Sequence, residues 1–182
     1  MIFAYDTEVA LVSAAALINT AEATPDSLST LAELDVFVQE QQFSGSRTHD
    51  EAELRAVRRM RGQLRAIWTA GEDEAAELVN QLLAQAKALP QLVKHDQWDW
   101  HLHATTPAAP LALRMGTEAA MGLVDVIRSK ELERLRICAA DDCEAVLIDL
   151  SKNRSRRYCD TGNCGNRANV AAYRRRKAGS AA

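Results

Sequence analysis

Four cysteines lie in the last quarter of the 182-residue chain, in two pairs with the same internal spacing. Cys138 and Cys143 have four residues between them, fifteen residues follow, and Cys159 and Cys164 repeat the spacing of four. Four thiolates are a common ligand set of structural zinc, and two close pairs joined by a hairpin can occupy the corners of a tetrahedron. In a reducing compartment such clusters indicate a metal before they indicate disulfides. The sequence therefore predicts one structural Zn²⁺; four unconnected buried thiols or two disulfides are the alternatives.

Positive charge is concentrated in the same part of the chain. Residues 151–182 contain nine Lys and Arg and one acid, Asp160, which gives a net charge of +8. Since the whole chain has 22 basic and 25 acidic side chains, residues 1–150 contain 13 and 24 and have a net charge of −11. A chain polarised in this way is typical of proteins in which one end meets a polyanion.

Short elements must hold the cysteines in place. The segments "AVLIDL" and "SRRYC" predict two short strands joined by a turn at "SKNR". A helix beginning near Cys164 would place this ligand at a helix N-terminus, where the helix dipole favours a thiolate. Gly165 would let backbone N–H groups approach the sulfurs closely. A knuckle, a hairpin and a helix with the last ligand form the layout of a treble-clef finger.

The helix after Cys164 is predicted to have two different faces. Arg167, Arg174 and Arg175 fall within an arc of about 100°. Val170 and Tyr173 form a neighbouring stripe suited to packing on the hairpin. A rigid helix with arginines on one side can enter the major groove of DNA, where arginine can pair with guanine edges and its neighbours with phosphates. The predicted nucleic-acid contacts are Arg154, Arg156, Arg157, Asn166, Arg167, Arg174, Arg175, Arg176 and Lys177.

Other interpretations of these arginines stay open. Arg156 and Arg157 could pair internally with acids such as Asp149 or Asp141, and the terminal "RRRK" could be a solvated tail. Charge alone does not separate DNA from RNA as the partner.

Helical periodicity dominates the chain before the cysteines. It predicts helices over about 7–20, from Pro25–Asp26 onward, over about 73–88 and from Pro110 to about 130. A further helix would begin at a capping box of Thr48 and Glu51 and end at Gly71. The residues predicted to face the core include Leu28, Leu31, Leu34, Val38, Leu54, Val57, Leu64, Ile67, Trp68, Leu123, Val124 and Ile127.

One strand is predicted among these helices. Trp98, Trp100 and Leu102 alternate with Asp99, His101 and His103, which is typical of a half-buried strand. Its partner would be the segment near Leu92 or the N-terminus of the chain, and both tryptophans are assigned to the core. His95, His101 and His103 could form a second metal site, but exposed polar partners are the more common role and no acidic ligand is clearly spaced to join them.

The segment "CAADDCEAVLIDLSKNRSRRYCDTGNCGNRANVAAYRRRK" resembles the CGNR zinc finger, named for the residues that here are Cys164, Gly165, Asn166 and Arg167. Further matching positions are Asp149, Ser151, Asn153, Ser155, Arg156, Arg157, Tyr173 and Arg174. Tyr158 stands where the family favours Trp, and Asn169 stands where Lys is common, which removes one positive charge. Upstream, "ALINT" and the helix leading into the finger resemble the ABATE domain, an α/β domain that precedes this finger in bacterial proteins proposed as stress-related transcription regulators.

The resulting expectation is an α+β protein: a mostly helical N-terminal ABATE-like α/β domain with a small sheet over 1–134, a treble-clef-like zinc finger over 135–178, and a disordered tail over 179–182. The implied function is that of a zinc-containing, DNA-binding transcription regulator. Its N-terminal domain would sense an unknown small molecule or form a homodimer. The alternatives are an RNA-binding protein that uses the same finger and an adaptor that docks on acidic protein surfaces.

Other functional classes have little support in the sequence. No nucleophile–base pair or phosphate loop stands out, so an enzyme is not expected. No apolar run is long enough to cross a bilayer, and the N-terminus lacks the basic region of a secretory signal. A cytoplasmic protein is therefore expected.

Overall fold

Helices dominate the fold in the computed structural model, which describes residues 2–95 and 98–179. The helices are α1 (Tyr5–Asn19), α2 (Leu31–Glu40), α3 (Glu51–Thr69), α4 (Glu72–Gln85), α5 (Leu111–Arg128) and α6 (Cys164–Gly179). Two antiparallel hairpins complete it, β1 (Gln91–His95) with β2 (Trp98–His103) and β3 (Leu135–Ile137) with β4 (Val146–Ile148). The α+β class, with a C-terminal cluster of four cysteines, is confirmed. No helix in the described residues is both long and apolar enough to span a bilayer.

Helix α5 is the centre of the N-terminal core, and it packs against α1, α3 and α4. Its apolar residues recur at helical spacing, so one side is buried along its whole length. Two glycines let its neighbours come close. A Cβ at Gly116 would lie 2.5 Å from Met60 Cε, and a Cβ at Gly122 would lie 3.2 Å from Leu11 Cγ. A side chain at Gly116 would displace the end of the Met60 side chain, and one at Gly122 would make a tight contact with Leu11.

Helix α2 begins later than its sequence pattern predicts. Thr30 accepts a hydrogen bond from the Glu33 backbone N–H at 3.2 Å, and Glu33 accepts from the Thr30 N–H at 2.8 Å, so these two residues form a capping box. The start predicted at Pro25–Asp26 is wrong because Asp26 binds elsewhere. Its carboxylate accepts from the Leu28 N–H at 2.9 Å and pairs with arginines of α3.

The capping box predicted at Thr48 and Glu51 is also wrong. Asp50 is the N-cap of α3 and accepts from the Glu53 N–H at 2.8 Å. Glu53 is buried, accepts from the Thr48 N–H at 3.2 Å and pairs with Arg47 at 2.8 Å. The ion pair with Arg47, six residues earlier, fixes which acid lies over the helix start, and the capping-box pattern does not contain that information. The core residues predicted for this helix are nevertheless buried.

Asp26 joins the loop after α1 to α3 through a bidentate pair with Arg61, with O···N distances of 2.9 and 2.6 Å. The hydrogen bond from Arg61 is the largest cause that lowers the Asp26 pKa from 3.8 to about 2. Stability from this pair is therefore complete above pH 4 and is lost as the pH falls from about 4 to 2. We expect Asp26→Asn to lower the free energy of unfolding by about 1–2 kcal/mol at pH 7.

Chemical unfolding of this variant and the parent chain between pH 2 and 7 tests the prediction. The two free energies should converge near pH 2, whereas Glu77→Gln, on the exposed face of α4, should match the parent at every pH. A constant difference across this range would contradict the assigned role of the carboxylate.

The first hairpin has the predicted pairing but not the predicted orientation. Leu92 pairs with Leu102 and Val93 with His101, so the strand near Leu92 is the partner of β2. Trp100, assigned to the core from the sequence, is 66% exposed, and Leu92 and Leu102 are exposed as well. The reason is that His103 turns towards Glu118 of α5, so the apolar positions of β2 face outwards. The side chains of His95 and Trp98 lie outside the described residues.

The second hairpin is built into the same core as the helices. Leu135, Val146 and Ile148 belong to the main hydrophobic cluster. Asn19, at the end of α1, donates to the Val146 carbonyl at 2.9 Å and accepts from the Val146 N–H at 2.7 Å. The domain boundary at 134/135 stays a prediction, and residues on both sides of it share one core. Helix α6 includes Gly179, the first residue of the predicted tail, while 180–182 lie outside the described residues.

The strand predicted at "SRRYC" is wrong. The partner of β4 is β3, and residues 155–159 form no strand. The Arg156 N–H donates to the Asp149 carboxylate at 3.0 Å, and Arg154 has a positive φ of 52°. Side-chain acceptors therefore bind backbone groups of this segment that a strand would pair in a ladder.

Candidate metal centre and basic helix

The four cysteine side chains converge on one point. Their Sγ atoms all lie within 4.8 Å of one another, with 3.6 Å between Cys143 and Cys159 and 3.8 Å between Cys159 and Cys164. Tetrahedral zinc with Zn–S bonds of about 2.3 Å requires sulfurs about 3.8 Å apart. The donor set and its spacing therefore fit one Zn²⁺ ion, and the predicted structural zinc is confirmed as one that these cysteines are able to bind.

Three elements position these ligands. Cys138 follows β3 directly and donates its N–H to the Ala145 carbonyl at 2.8 Å, so the first cysteine pair lies in the turn of the β3–β4 hairpin. The Cys159 N–H donates to Cys138 Sγ at 3.4 Å, which brings the second pair to the first. Cys164 is the first residue of α6, as its sequence context predicts. The metal ligands thus fix where α6 begins.

A different glycine from the predicted one makes room for the sulfurs. A Cβ at Gly162 would lie 3.0 Å from Cys164 Sγ, whereas a Cβ at Gly165 would make only ordinary contact with Tyr158, at 3.6 Å. The role predicted for Gly165 is therefore wrong, because its Cα faces Tyr158. The sequence signal for Gly162 is its place in the short loop between Cys159 and Cys164, which must turn tightly.

The thiols differ in how readily they ionise. Burial raises the pKa of Cys138 and raises that of Cys143 to about 12. At Cys159 burial acts in the same direction, but hydrogen bonds from the Gly162 N–H and from the neighbouring thiols outweigh it and lower the pKa to about 7. Since zinc binds thiolates, Cys159 needs less proton release than Cys138 or Cys143, and zinc binding to these ligands must release protons.

A buried carboxylate braces the segment between the cysteine pairs. Asp149 is completely buried and accepts from the Ser151 N–H at 2.9 Å, from Ser151 Oγ at 2.5 Å and from the Arg156 N–H at 3.0 Å. Arg136 forms an ion pair with it at 3.0 Å. Burial alone would raise the Asp149 pKa, but these donors lower it below its usual value. The family resemblance included Asp149 among the matching positions. It did not indicate Arg136, which lies on β3.

Arg134 also stabilises the segment between the two cysteine pairs. Its buried guanidinium donates to the backbone carbonyls of Asp149, at 2.8 Å, and Ser151, at 3.0 Å, and pairs with Glu131 at 2.6 Å. Sequence reasoning did not select this arginine. No local pattern distinguishes it from the other arginines of the chain.

Three of the predicted nucleic-acid contacts bind acids of the protein itself. Arg154 pairs with Glu131 at 2.9 Å and with Glu133, and Arg156 pairs with Asp160. Arg167 pairs with Asp142 at 2.7 Å and donates to Cys164 Sγ at 3.2 Å. The bond to Asp142 is the main cause that raises the Arg167 pKa. The alternative of internal pairing thus holds for Arg156, although its acid is neither Asp149 nor Asp141.

The remaining predicted contacts are exposed, namely Arg157, Asn166, Arg174, Arg175, Arg176 and Lys177. Within the described residues, α6 has no extended packing against another helix or strand. Val170 and Tyr173 are 40% and 59% exposed, so the predicted packing of this stripe on the hairpin is wrong. The reason is that the hairpin packs against α1 and α3 instead. The distal half of α6 therefore presents its arginines to solvent.

Two family matches cover this architecture. Residues 134–177 match the CGNR zinc finger, and residues 12–130 match ABATE, described as "Putative stress-induced transcription regulator". None of the curated proteins compared with the chain matches it. Because the second match extends over more than half of the sequence, and the finger follows it in the expected order, the chain belongs to the ABATE family and ends in a CGNR zinc finger.

Proposed function

We propose that this protein is a zinc-dependent transcription regulator that binds duplex DNA through α6. The observation behind the proposal is that the four-cysteine cluster fixes the start of a helix whose distal half is basic, exposed and not packed along another element. The description of the ABATE family as transcription regulators supports the same conclusion.

The dimensions and charge of α6 suit the major groove. Sixteen residues make a helix roughly 24 Å long, and the major groove of B-DNA admits one α-helix. Arg174 and Arg175 lie about 100° apart on the helix, so both can face one groove, and Arg176 lies further round, towards the backbone. Arg157 is the exposed arginine of the loop before Cys159. We assign DNA contact chiefly to these four side chains.

Arg154, Arg156 and Arg167 take a secondary role in this proposal. Their partners, Glu131, Glu133, Asp160 and Asp142, neutralise much of their charge and would have to be displaced before phosphate could bind. We infer that these arginines are engaged within the finger, while the arginines near the end of α6 supply the affinity.

Single substitutions in α6 test the assignment. We expect Arg174→Ala and Arg175→Ala each to weaken binding to duplex DNA, by about 5- to 150-fold if the side chain contacts a base. A base contact would also relax the sequence preference, whereas a phosphate contact would lower affinity evenly and reduce the salt slope by about one. Fluorescence anisotropy over a salt series, on sequences selected from a random pool, measures both quantities.

The matched control is Arg59→Ala, which removes the same charge from the exposed face of α3 and should leave affinity unchanged. Equal losses at Arg59 and Arg174 would mean that only net charge matters and would contradict contact through α6. A structured RNA included in the same series tests the RNA-binding alternative, which tighter binding to RNA than to duplex DNA would favour.

We further propose that the N-terminal domain senses a small molecule. A cavity of about 440 Å³ lies beside α1, α5 and β2, which is within the usual size range of ligand sites. Most of its lining is apolar, and its polar residues include Asp6, Thr7, His101, His103, Glu118 and Asp125. An apolar cavity with a few convergent polar groups is the usual form of a site for a small ligand.

A further inference from the structure

Two histidines meet at the wall of this cavity. His101 and His103 are two residues apart on β2, so both side chains leave the same face of the strand. Their Nε2 atoms are 3.1 Å apart, and the ring centroids are 4.8 Å apart with the planes at 71°. Both residues line the cavity. The two ring nitrogens therefore point at one location.

The contacts of the two Nδ1 atoms favour a hydrogen on each of these nitrogens. His101 Nδ1 is 2.7 Å from the Asp99 carbonyl oxygen, and a carbonyl can only accept, so this nitrogen carries the hydrogen. His103 Nδ1 is 3.3 Å from Glu118 Oε1, and a carboxylate likewise accepts. In a neutral imidazole with hydrogen on Nδ1, Nε2 presents a lone pair. Both Nε2 atoms then turn lone pairs towards the same 3.1 Å gap.

Two facing lone pairs repel unless a proton or a metal ion lies between the nitrogens. A metal bound to two imidazoles at about 2.0–2.1 Å holds the nitrogens about 2.9 Å apart at a 90° angle and about 3.4 Å apart at the tetrahedral angle. The observed 3.1 Å lies between these values. A carboxylate or carbonyl on the remote ring nitrogen is also the usual outer partner of a histidine ligand, because it fixes the tautomer and makes the ligand more basic. Asp99 and Glu118 provide these partners.

We propose that His101 and His103 form a second metal site, for a divalent transition-metal ion such as Ni²⁺, Cu²⁺, Co²⁺ or Zn²⁺. Imidazole nitrogen suits these ions, whereas Mg²⁺ and Ca²⁺ prefer oxygen ligands. Two protein nitrogens leave the other coordination positions facing the cavity, open to water or to an anionic ligand. The site differs from the cysteine cluster in ligand chemistry, so the two can be loaded separately.

The first test uses the full chain with zinc already bound at the cysteines. Ni²⁺ is titrated into this protein after passage over a chelating resin, and calorimetry should show one further equivalent bound. In a paramagnetic experiment, substoichiometric Cu²⁺ should broaden the ring signals of His101 and His103 and leave those of His49 sharp. His49 lies outside the cavity, where it pairs with Asp35.

Variants identify the ligands. We expect His101→Gln and His103→Gln to weaken Ni²⁺ binding at least 10-fold, and Glu118→Gln, which keeps both rings, to weaken it by about 10- to 100-fold. His49→Gln is the matched control and should bind Ni²⁺ as the parent does. The near-ultraviolet circular dichroism of each variant shows whether the fold is retained.

Three results would each overturn the proposal. The first is zinc-loaded parent protein that binds no further Ni²⁺. The second is Ni²⁺ affinity that is unchanged in both His101→Gln and Glu118→Gln. The third is an imidazole nitrogen spectrum, recorded with excess Zn²⁺ at pH 8, in which one ring is doubly protonated, because a shared proton would then fill the gap between the Nε2 atoms.

Discussion

Removal of zinc is expected to lower the affinity of the proposed DNA site by at least about 100-fold, although it removes no basic side chain. The reason is that α6 begins at a metal ligand and lacks extended packing elsewhere in the described residues. Helix nucleation is costly, and helices near this length are marginal in water when nothing holds them. Structural zinc contributes about 10–16 kcal/mol to the folding of zinc-finger peptides. Its loss should therefore unfold α6, and the arginines would no longer have fixed positions.

Fluorescence anisotropy with a labelled duplex, before and after chelation, measures this loss. Addition of Zn²⁺ should restore affinity, and addition of Mg²⁺ should not. Cys159→Ser should reproduce the effect without a chelator, because it removes the thiol with the lowest pKa of the shifted set, about 7. If metal-free protein binds DNA as tightly as the zinc form, the arginines act as an unstructured basic chain and α6 is not the contact element.

Replacement of Asp149 by alanine is expected to cost more stability than any single surface ion pair. It would remove the carboxylate that pairs with Arg136 and that accepts from the N–H groups of Ser151 and Arg156. Removing one partner of a buried pair usually costs 3–5 kcal/mol, and because Arg136 keeps partial solvent contact we expect about 2–4 kcal/mol.

Urea unfolding at pH 7 in excess zinc measures the free energy of unfolding. Asp149→Asn preserves the side-chain volume, so a loss in that variant as well would assign the effect to the charge and the acceptors rather than to a cavity. The matched control is Asp142→Ala, which breaks the exposed pair with Arg167 and should leave the free energy of unfolding nearly unchanged. Equal stabilities of Asp149→Ala and Asp142→Ala would contradict the bracing role.

The sequence predicts the metal ligands well because zinc makes strict demands. Four sulfurs must surround one ion, and four cysteines that occur in two close pairs are typical of such a site. The main helices were predictable for a comparable reason, since an apolar face of period 3.6 must be buried, and α3 and α5 show it without interruption. Both signals are local in the chain.

What the sequence does not predict depends on partners that are distant in the chain. The sequence predicts that Arg167 contacts DNA, whereas in the structure it pairs with Asp142, 25 residues earlier. The outward orientation of Trp100 follows from the contact of His103 with Glu118 on α5. The pairing of β4 with β3 rather than with the segment after it depends on Asp149, whose carboxylate binds the backbone N–H groups of Ser151 and Arg156.

Helix α1 has one further consequence, which is mechanical. Near its start, Asp6 accepts from the Leu102 N–H at 3.3 Å and Thr7 donates to Asp125 at 2.7 Å, both at the cavity. At its end, the Asn19 side chain forms two hydrogen bonds with the backbone of Val146 in β4. Fifteen residues make a rod roughly 22 Å long, so a tilt of about 3° at one end moves the other by about 1 Å. A ligand in the cavity that tilted α1 would therefore shift β4, the strand between the two cysteine pairs. Helix α1 would then act as a lever between the cavity and the zinc ligands.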